Sequence, residues 1–235
     1  MKLLAIDCST EQLSLAVADG EQRWEHAGEG GAHASASLLP AIMGLLDKAQ
    51  LSLKALDAIA FGRGPGAFTG LRTACAVAQG LALGANLPLV PVDTLLMLAV
   101  AASSHSPRVL SVLDARMGQV YVAAYENTAQ AWTCLQAPML GSPSALQLPA
   151  TWHAQDFALA SNAHALYGQA FAAAFSQGGF AVPAWPTALA LLDLAAAAYA
   201  RGETVTPAQA LPLYVRDKVA LTTAERAEDG AARNL

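Results

Sequence analysis

The sequence has 235 residues, enough for one large domain or for two small lobes with their own cores. Its formal net charge is −5 and its Lys and Arg residues are scattered, so it lacks the basic patch that binding nucleic acid unaided would require. Only 13% of the residues are charged and 54% are apolar. Either a partner covers part of an apolar surface, or the excess reflects the many alanines, which bury little area.

The N-terminus, the cysteines and an uncharged stretch together indicate a cytoplasmic protein. Asp7 interrupts the first apolar run too early for a signal peptide. The uncharged run 73–92 contains polar residues, glycines and a proline, so it is predicted to be a buried helix and a strand rather than a membrane span. Cys8, Cys75 and Cys134 are odd in number and lack metal-site spacing, which favours three reduced thiols.

In chain order, the residue pattern of the first half predicts three strands, a helix, a strand, a helix, a strand and a further helix. An Asp-Gly pair is expected to close a hairpin between the second and third strands. The predicted ranges are strands 2–7, 12–18, 21–27, 57–61 and 87–92, helices 35–49 and 69–85, and a helix from Thr94 capped by Asp93. The second half is predicted to be richer in loops, with strands 108–113 and 157–160 and a helix 187–201 capped by Thr187.

A weak internal repeat connects the two halves. LLAIDCSTEQLSLAVA and LSVLDARMGQVYVAAY each contain an apolar strand, an Asp, a short polar turn, a Gln and an alternating strand. Two such units predict an α/β protein of two lobes with the actin-like, Hsp70-like (ribonuclease H-like) architecture, each lobe a mixed sheet with helices. The predicted lobes are residues 1–105 and 106–225, followed by a flexible tail over 226–235.

The two Asp-ended turns suggest a nucleotide site, because proteins of this architecture grip phosphate between two such turns. Asp7 would hold Mg²⁺, Ser9 and Thr10 would lie at the phosphate, and Asp114 would serve the second turn. However, such turns normally use glycine so that the backbone can approach the ligand, and Cys8, Ser9 and Thr10 carry side chains. We therefore favour polar structural turns and expect no cofactor.

The segment GRGPGAFTGLR at 62–72 has the appearance of a phosphate loop before a helix. It lacks the Gly-Lys-Ser/Thr of a Walker loop. It matches the dinucleotide pattern formally, but it follows an antiparallel hairpin, and the next acidic residue lies beyond the following strand. We interpret Gly64, Pro65 and Gly66 as a tight turn and Thr69 as the helix cap, with Gly70 in the same segment.

Small residues on helix 69–85 form two adjacent stripes that allow close packing. One stripe is Thr73, Val77, Gly80 and Gly84, and the next is Ala74, Ala78, Leu81 and Ala85. One stripe can pack on the sheet. The other, beside the wide apolar face that carries Leu39 and Met43 of the preceding helix, is predicted to contact a partner. A tightly packed monomer core is the alternative.

Five blocks in this order resemble the bacterial TsaB family, also called YeaZ, over essentially the whole chain: LLAIDCST, GRGPGAFTGLR, AVAQGLALGANLPLVPVDTL, DARMGQVY and LPLYVRDKVA. The resemblance implies a non-catalytic paralogue of TsaD. With TsaD and the ATPase TsaE, TsaB supports transfer of threonylcarbamoyl from its adenylate to the adenosine 3′ of the anticodon. It further implies pairing with TsaD, or with a second copy, through first-lobe helices, with tRNA reached only through the complex and no membrane contact.

The resemblance also implies that the metal site of TsaD is absent. That family binds its metal through two histidines four residues apart on a helix that follows a strand; the matching positions here are Thr94 and Leu98, which are not comparable ligands. Two other classes remain: an actin-like ATPase or small-molecule kinase using Asp7 and Asp114, and a protease, for which neither metal ligands nor a triad is recognisable. Tyr214 and Arg216 could pack the lobe or contact a partner.

Overall fold

The N-terminal strands form one five-stranded mixed sheet. The computed structural model describes residues 1–30, 34–128, 131–153, 157–176 and 178–216. The first sheet has the order β3-β2-β1-β4-β5, with β1 antiparallel to β2 and parallel to β4. Its strands are β1 (Lys2–Asp7), β2 (Gln12–Asp19), β3 (Gln22–Glu29), β4 (Ala58–Gly64) and β5 (Leu89–Asp93). Each predicted strand of the first half is present; β1 has the predicted bounds, and the ends of the others differ from prediction by at most three residues.

The second sheet repeats this pattern strand for strand. Its order is β10-β9-β6-β7-β8, with β6 antiparallel to β7 and parallel to β9. Its strands are β6 (Arg108–Asp114), β7 (Val120–Asn127), β8 (Trp132–Gly141), β9 (Ala158–Ser161) and β10 (Phe180–Pro183). In each sheet the central strand ends in an aspartate, Asp7 or Asp114. The predicted duplication and the α/β two-lobed fold class are confirmed.

Helices cover both faces of the first sheet. Helices α1 (Ala34–Lys48) and α2 (Phe68–Ala85) bury their apolar sides on one face, around residues such as Leu38, Ile42 and Ala78. Helix α3 (Thr94–Ala101) packs mainly under the second sheet, and α4 (His164–Ala174) follows β9. None of the helices in these described ranges has the length and hydropathy that a membrane crossing requires.

The last helix lies where the sequence alone could not place it. Helix α5 (Ala188–Ala200) packs on the second face of the first sheet, with Leu191 and Leu192 in a core shared with β1 and β5. Val205, just beyond it, pairs with Leu89 of β5. The first lobe therefore draws on residues beyond 105, although the proposed division at 105 and 106 stays a prediction. The predicted tail, the end of the LPLYVRDKVA block and His33 lie outside the described residues.

Two helix caps differ from expectation. Helix α2 begins at Phe68 with Ala67 as its N-cap, so the prediction that Thr69 caps it is wrong. Asp93 does occupy the N-cap position of α3, but its side chain makes no capping hydrogen bond and instead pairs with Arg63 Nε at 2.5 Å. Thr187 caps α5 as predicted, accepting a hydrogen bond from the Ala190 amide at 3.2 Å.

Candidate functional site

A cavity of about 380 Å³ lies between the two lobes, where the first strands of both sheets end. Three chain segments supply most of its wall: residues 9–11 after β1, residues 66–70 at the start of α2, and residues 114–117 after β6. Tyr121, Asn162 and Arg216 complete the wall. The structure therefore brings Ser9, Thr10 and Asp114 together, as the two-turn interpretation predicts, but it adds Glu11, Asn162 and Arg216, which the sequence did not indicate.

Asp7 does not reach this cavity. Its side chain is completely buried, and its Oδ2 accepts hydrogen bonds from the Ser9 amide at 3.2 Å and from the Ser9 hydroxyl at 2.8 Å. Its Oδ1 has no hydrogen-bond partner and lies against Gly62. Burial raises the pKa of the Asp7 carboxyl to about 6, although the two Ser9 hydrogen bonds act in the opposite direction. In this arrangement Asp7 organises the first turn and is not placed to bind a cation in the cavity.

The glycines of GRGPGAFTGLR allow the start of α2 to pack directly on the first turn. A Cβ at Gly66 would lie 2.4 Å from the Ser9 carbonyl oxygen, and a Cβ at Gly70 would lie 1.8 Å from the Cys8 carbonyl oxygen. The Ala67 amide donates to the same Ser9 carbonyl at 2.7 Å. These residues therefore serve close packing between two protein backbones, which explains the glycine-rich composition without a phosphate ligand.

The second turn is held by side chains from three elements. The Asp114 amide donates to Asn162 Oδ1 at 3.0 Å, and Asp114 Oδ1 accepts from the Arg116 amide at 3.0 Å. Arg116 and Met117 have φ angles of 60° and 56°, a conformation that non-glycine residues adopt rarely. Arg216 Nη2 donates to the Ala115 carbonyl at 2.9 Å, which supports this turn from the cavity side.

The charge lining the cavity is mixed. Arg116 and Arg216 are cationic, and the first turn of α2 adds backbone amides, so part of the wall suits an anion. Glu11 and Asp114 lie in the same wall and would repel a phosphate group. Within the described ranges, no three His, Cys, Asp or Glu side chains come together as a metal site would require.

Thr94 and Leu98, the positions that the resemblance matches to metal ligands of TsaD, lie in α3. Both are completely buried. Leu98 packs in the apolar core under the second sheet, and the Thr94 hydroxyl has no hydrogen-bond partner. One buried hydroxyl at Thr94 and the isobutyl group of Leu98 offer a metal ion no set of donor atoms.

The predicted partner residues lie on two adjacent helices. Leu39 and Met43 on α1 are 47% and 46% exposed, and Gly80 and Gly84 on α2 face solvent. A Cβ at either glycine would meet no heavy atom within 4 Å. We refer to the exposed sides of α1 and α2 as the helical face. Its use as an interface is a proposal, taken up below.

Part of the predicted stripe is turned inward. Thr73 and Val77 are only half-exposed, and Val77 packs against the first-lobe core. Conversely, Leu83 was not among the predicted residues, yet it is 76% exposed and follows Gly80 by three positions. A helical-wheel projection of α2, in which residues 76, 80, 83 and 84 fall on one side, would have indicated that Leu83 is exposed. A Val77→Glu substitution would therefore affect the stability of the fold as well as pairing with a partner. Substitutions at Gly80 and Leu83 test the helical face alone.

The buried carboxyl of Asp7 predicts a pH dependence of stability. In the unfolded chain its pKa is near 3.8, and burial raises it to about 6 in the folded protein. Between those values the folded state keeps the proton and the unfolded state releases it, so the free energy of unfolding falls as pH rises. At ~1.4 kcal/mol per pH unit of separation, we expect a loss of roughly 2–3 kcal/mol between pH 4 and 7.

The matched variant for this prediction is Asp7→Asn, which keeps the shape of the side chain but cannot ionise. Urea unfolding of both proteins at a series of pH values gives the difference attributable to Asp7. We expect wild type to lose stability relative to Asp7→Asn as pH rises from 4 to 6. Parallel profiles for the two proteins would contradict a raised pKa at this carboxyl.

Comparison with known proteins finds relatives that match this chain over most of its length. A family model described as TsaD, tRNA N6-adenosine threonylcarbamoyltransferase, matches residues 21–222. The tRNA threonylcarbamoyladenosine biosynthesis protein TsaB of Escherichia coli K12 is 33% identical over 94% of this chain and 96% of its own length. The TsaB protein of Haemophilus influenzae is 31% identical over 93% and 95%, respectively.

Solved structures give the same result. YeaZ from Pseudomonas aeruginosa is 38% identical, covers 91% of this chain and 99% of its own, and superposes with a TM-score of 0.82. Another structure with the same identity and TM-score, covering 92% of this chain, is described as an uncharacterized protein with similarity to peptidase YEAZ from Pseudomonas aeruginosa. The similarity spans both lobes.

Proposed function

Because the chain belongs to the TsaB (YeaZ) family, we propose that it is the non-catalytic subunit that TsaD and TsaE require for tRNA threonylcarbamoylation. In this proposal TsaD transfers threonylcarbamoyl from its adenylate to the adenosine 3′ of the anticodon. The present chain pairs with TsaD, and tRNA is contacted through the complex. The net charge of −5 is consistent with that arrangement, since an acidic protein is a poor direct ligand for RNA. In this proposal the reaction takes place in the cytoplasm.

The observation that carries the proposal is the helical face. Exposed apolar side chains of α1 and α2, including Leu39, Met43 and Leu83, lie beside solvent-facing glycines at 80 and 84. Helices α1 and α2 contact each other and pack on the same face of the first sheet, so their exposed sides lie next to each other. Small residues at exposed helix positions let a partner helix approach closely, and the apolar side chains supply area that becomes buried on association.

The cavity supports the non-catalytic part of the proposal. Asp7 is buried and faces Gly62, the glycines of the 62–72 block pack against the first turn, and carboxylates oppose the cationic part of the wall. The described residues therefore supply a two-lobed body with an exposed helical face, and this proposal assigns the chemistry to TsaD. A second copy of this chain could use the same face when TsaD is absent.

Reconstitution tests this function directly. We expect TsaD, TsaE, tRNA and threonylcarbamoyl-adenylate to give modified tRNA when this chain is present, and to give only background when it is omitted. Modified nucleoside is measured after digestion of the tRNA by mass spectrometry. Full modification without the chain would contradict a required role, and modification by this chain without TsaD would contradict the non-catalytic role.

The cavity keeps a second candidate open, an actin-like ATPase or small-molecule kinase. Its specific support is that Asp114 and the first turn of α2 face the same cavity, as a phosphate site between two lobes requires. Calorimetric titration with ATP and Mg²⁺ separates the two candidates. Tight binding of ATP that is abolished by Asp114→Asn would favour an ATPase or kinase. Absence of ATP binding favours the non-catalytic subunit.

A further inference from the structure

The segment 213–216, which the proposed function does not use, crosses from one lobe to the other beside the cavity. We call residues 213–216 the strap. The preceding residues are already fastened to the first lobe: Val205 pairs with Leu89, and Gln79 Nε2 donates to the carbonyls of Pro207 at 2.9 Å and Ala210 at 3.0 Å. The strap therefore starts from a fixed point on the first lobe.

The first half of the strap is anchored at the start of α2. The Leu213 amide donates to the Arg63 carbonyl at 2.7 Å. The Tyr214 hydroxyl accepts from Arg72 Nε at 2.8 Å, and the Tyr214 ring lies 5.6 Å from that of Phe68. The Arg72 guanidinium also sits 3.8 Å above the Phe68 ring. Phe68, Arg72 and Tyr214 thus form one stacked, hydrogen-bonded group on the first lobe.

The second half of the strap is anchored on the other lobe, two residues further on. Val215 packs against the apolar core under the second sheet. Arg216 Nη2 donates to the Ala115 carbonyl at 2.9 Å and lies 3.4 Å from the Arg116 carbonyl, while Nη1 lies 3.2 Å from Met117 Sδ. A charged donor on backbone carbonyls gives a stronger hydrogen bond than a neutral one. Arg216 thus holds the left-handed stretch of the second turn.

We propose that the strap is a latch between the lobes, which couples the start of α2 to the second turn and sets how far the cavity opens. A single residue, Val215, separates the anchor on Tyr214 from the anchor on Arg216, and so short a span leaves the backbone little slack. A displacement of Phe68 or Arg72 therefore moves Arg216 relative to the turn that it holds. This inference concerns the chain by itself and does not depend on the proposed role in tRNA modification.

Hydrogen exchange on the full chain tests the latch. The informative amides are those of Arg116 and Gln119, which donate to Asp114 Oδ1 and the Arg116 carbonyl within the second turn. We expect Arg216→Ala to speed their exchange by about tenfold or more, the effect of losing one charge-assisted hydrogen bond. Arg201→Ala is the matched control, because it removes an exposed pair with Glu203 that joins nothing across the cavity.

The decisive variant lies on the other lobe. Arg72 does not touch the second turn, yet the latch predicts that Arg72→Ala also speeds exchange at Arg116 and Gln119. Tyr214→Phe, which keeps the ring and removes only the hydroxyl, should show the same effect more weakly. Two results would overturn the proposal. If these amides exchange at the wild-type rate in Arg72→Ala, the two lobes are not coupled. If the core amides of β1 and β6 accelerate equally, the variant has destabilised the whole fold.

Discussion

Gly70→Ala is expected to destabilise the folded chain by about 3 kcal/mol or more, because the added Cβ has no room against a backbone atom. It would lie 1.8 Å from the Cys8 carbonyl oxygen and 3.0 Å from the Cys8 carbonyl carbon. A flexible side chain could turn away from such a contact, but the Cys8 carbonyl belongs to the backbone of a buried residue directly after β1. Relief therefore requires that the start of α2 and the first turn move apart, which would also widen the cavity.

The matched control is Gly80→Ala in the same helix. A Cβ at Gly80 meets no heavy atom within 4 Å, and Gly80 lies in the helix interior. Alanine is a better helix former than glycine, so this variant is expected to gain roughly 0.5–1 kcal/mol. Urea unfolding followed by circular dichroism measures both effects. Equal stability of Gly70→Ala and wild type would contradict the close approach between α2 and the first turn.

The contrast between these two glycines shows what the sequence could and could not predict. Both belong to the same largely apolar helix, and both fit a small-residue pattern. Which glycine faces a backbone depends on the contact of Gly70 with Cys8, more than sixty positions earlier in the chain. A local pattern indicates that a close approach occurs, but it does not identify the partner of that approach.

The repeated strand–turn–strand units were predictable because each carries its own signal. The strands at 2–7 and 108–114 are largely apolar between a basic first residue and a terminal aspartate, and the strands that follow alternate. The burial of Asp7 was not predictable in the same way. A carboxyl at the end of a strand is equally consistent with a cation site and with an internal turn, and only the position of Gly62 against its Oδ1 decides between them.

The elements that were missed in the second lobe have physical explanations. Strand β8 contains Pro138, which argues against a strand in a sheet interior, but β8 is an edge strand and tolerates a proline. Helix α4 buries only Phe171 among its residues, so its alanine-rich sequence has no clear apolar stripe. Helix α5 was predicted at nearly its observed bounds, but the sheet that it covers depends on the path of the whole chain.

Gly80→Arg is expected to abolish stable pairing with TsaD while leaving the isolated chain folded. The long cationic side chain would project from the middle of the helical face, where a partner helix would have to bury it without a counter-ion. Leaving a charge buried and unpaired at an interface costs about 2–5 kcal/mol, which corresponds to roughly 30- to 5,000-fold weaker binding. The open space around Gly80 means that no such cost arises within the chain itself.

Gly168→Arg provides a control of the same chemical change. Gly168 lies within α4 of the second lobe, and a Cβ there also meets no heavy atom within 4 Å. Like Gly80→Arg, this substitution removes a helical glycine and adds one positive charge, but its site is remote from the helical face. Leu83→Glu, at a position 76% exposed, tests the same face by a charge of the opposite sign.

Affinity for TsaD, measured by biolayer interferometry and checked by co-purification, should fall for Gly80→Arg and Leu83→Glu and stay at the wild-type value for Gly168→Arg. Circular dichroism of each variant confirms that the fold is retained. Loss of binding with either charge at α2 points to burial of an apolar face, whereas loss with only one sign would indicate an electrostatic contact at its rim. Wild-type affinity of Gly80→Arg would remove α2 from the interface, because no partner helix could approach that face with an arginine at its centre.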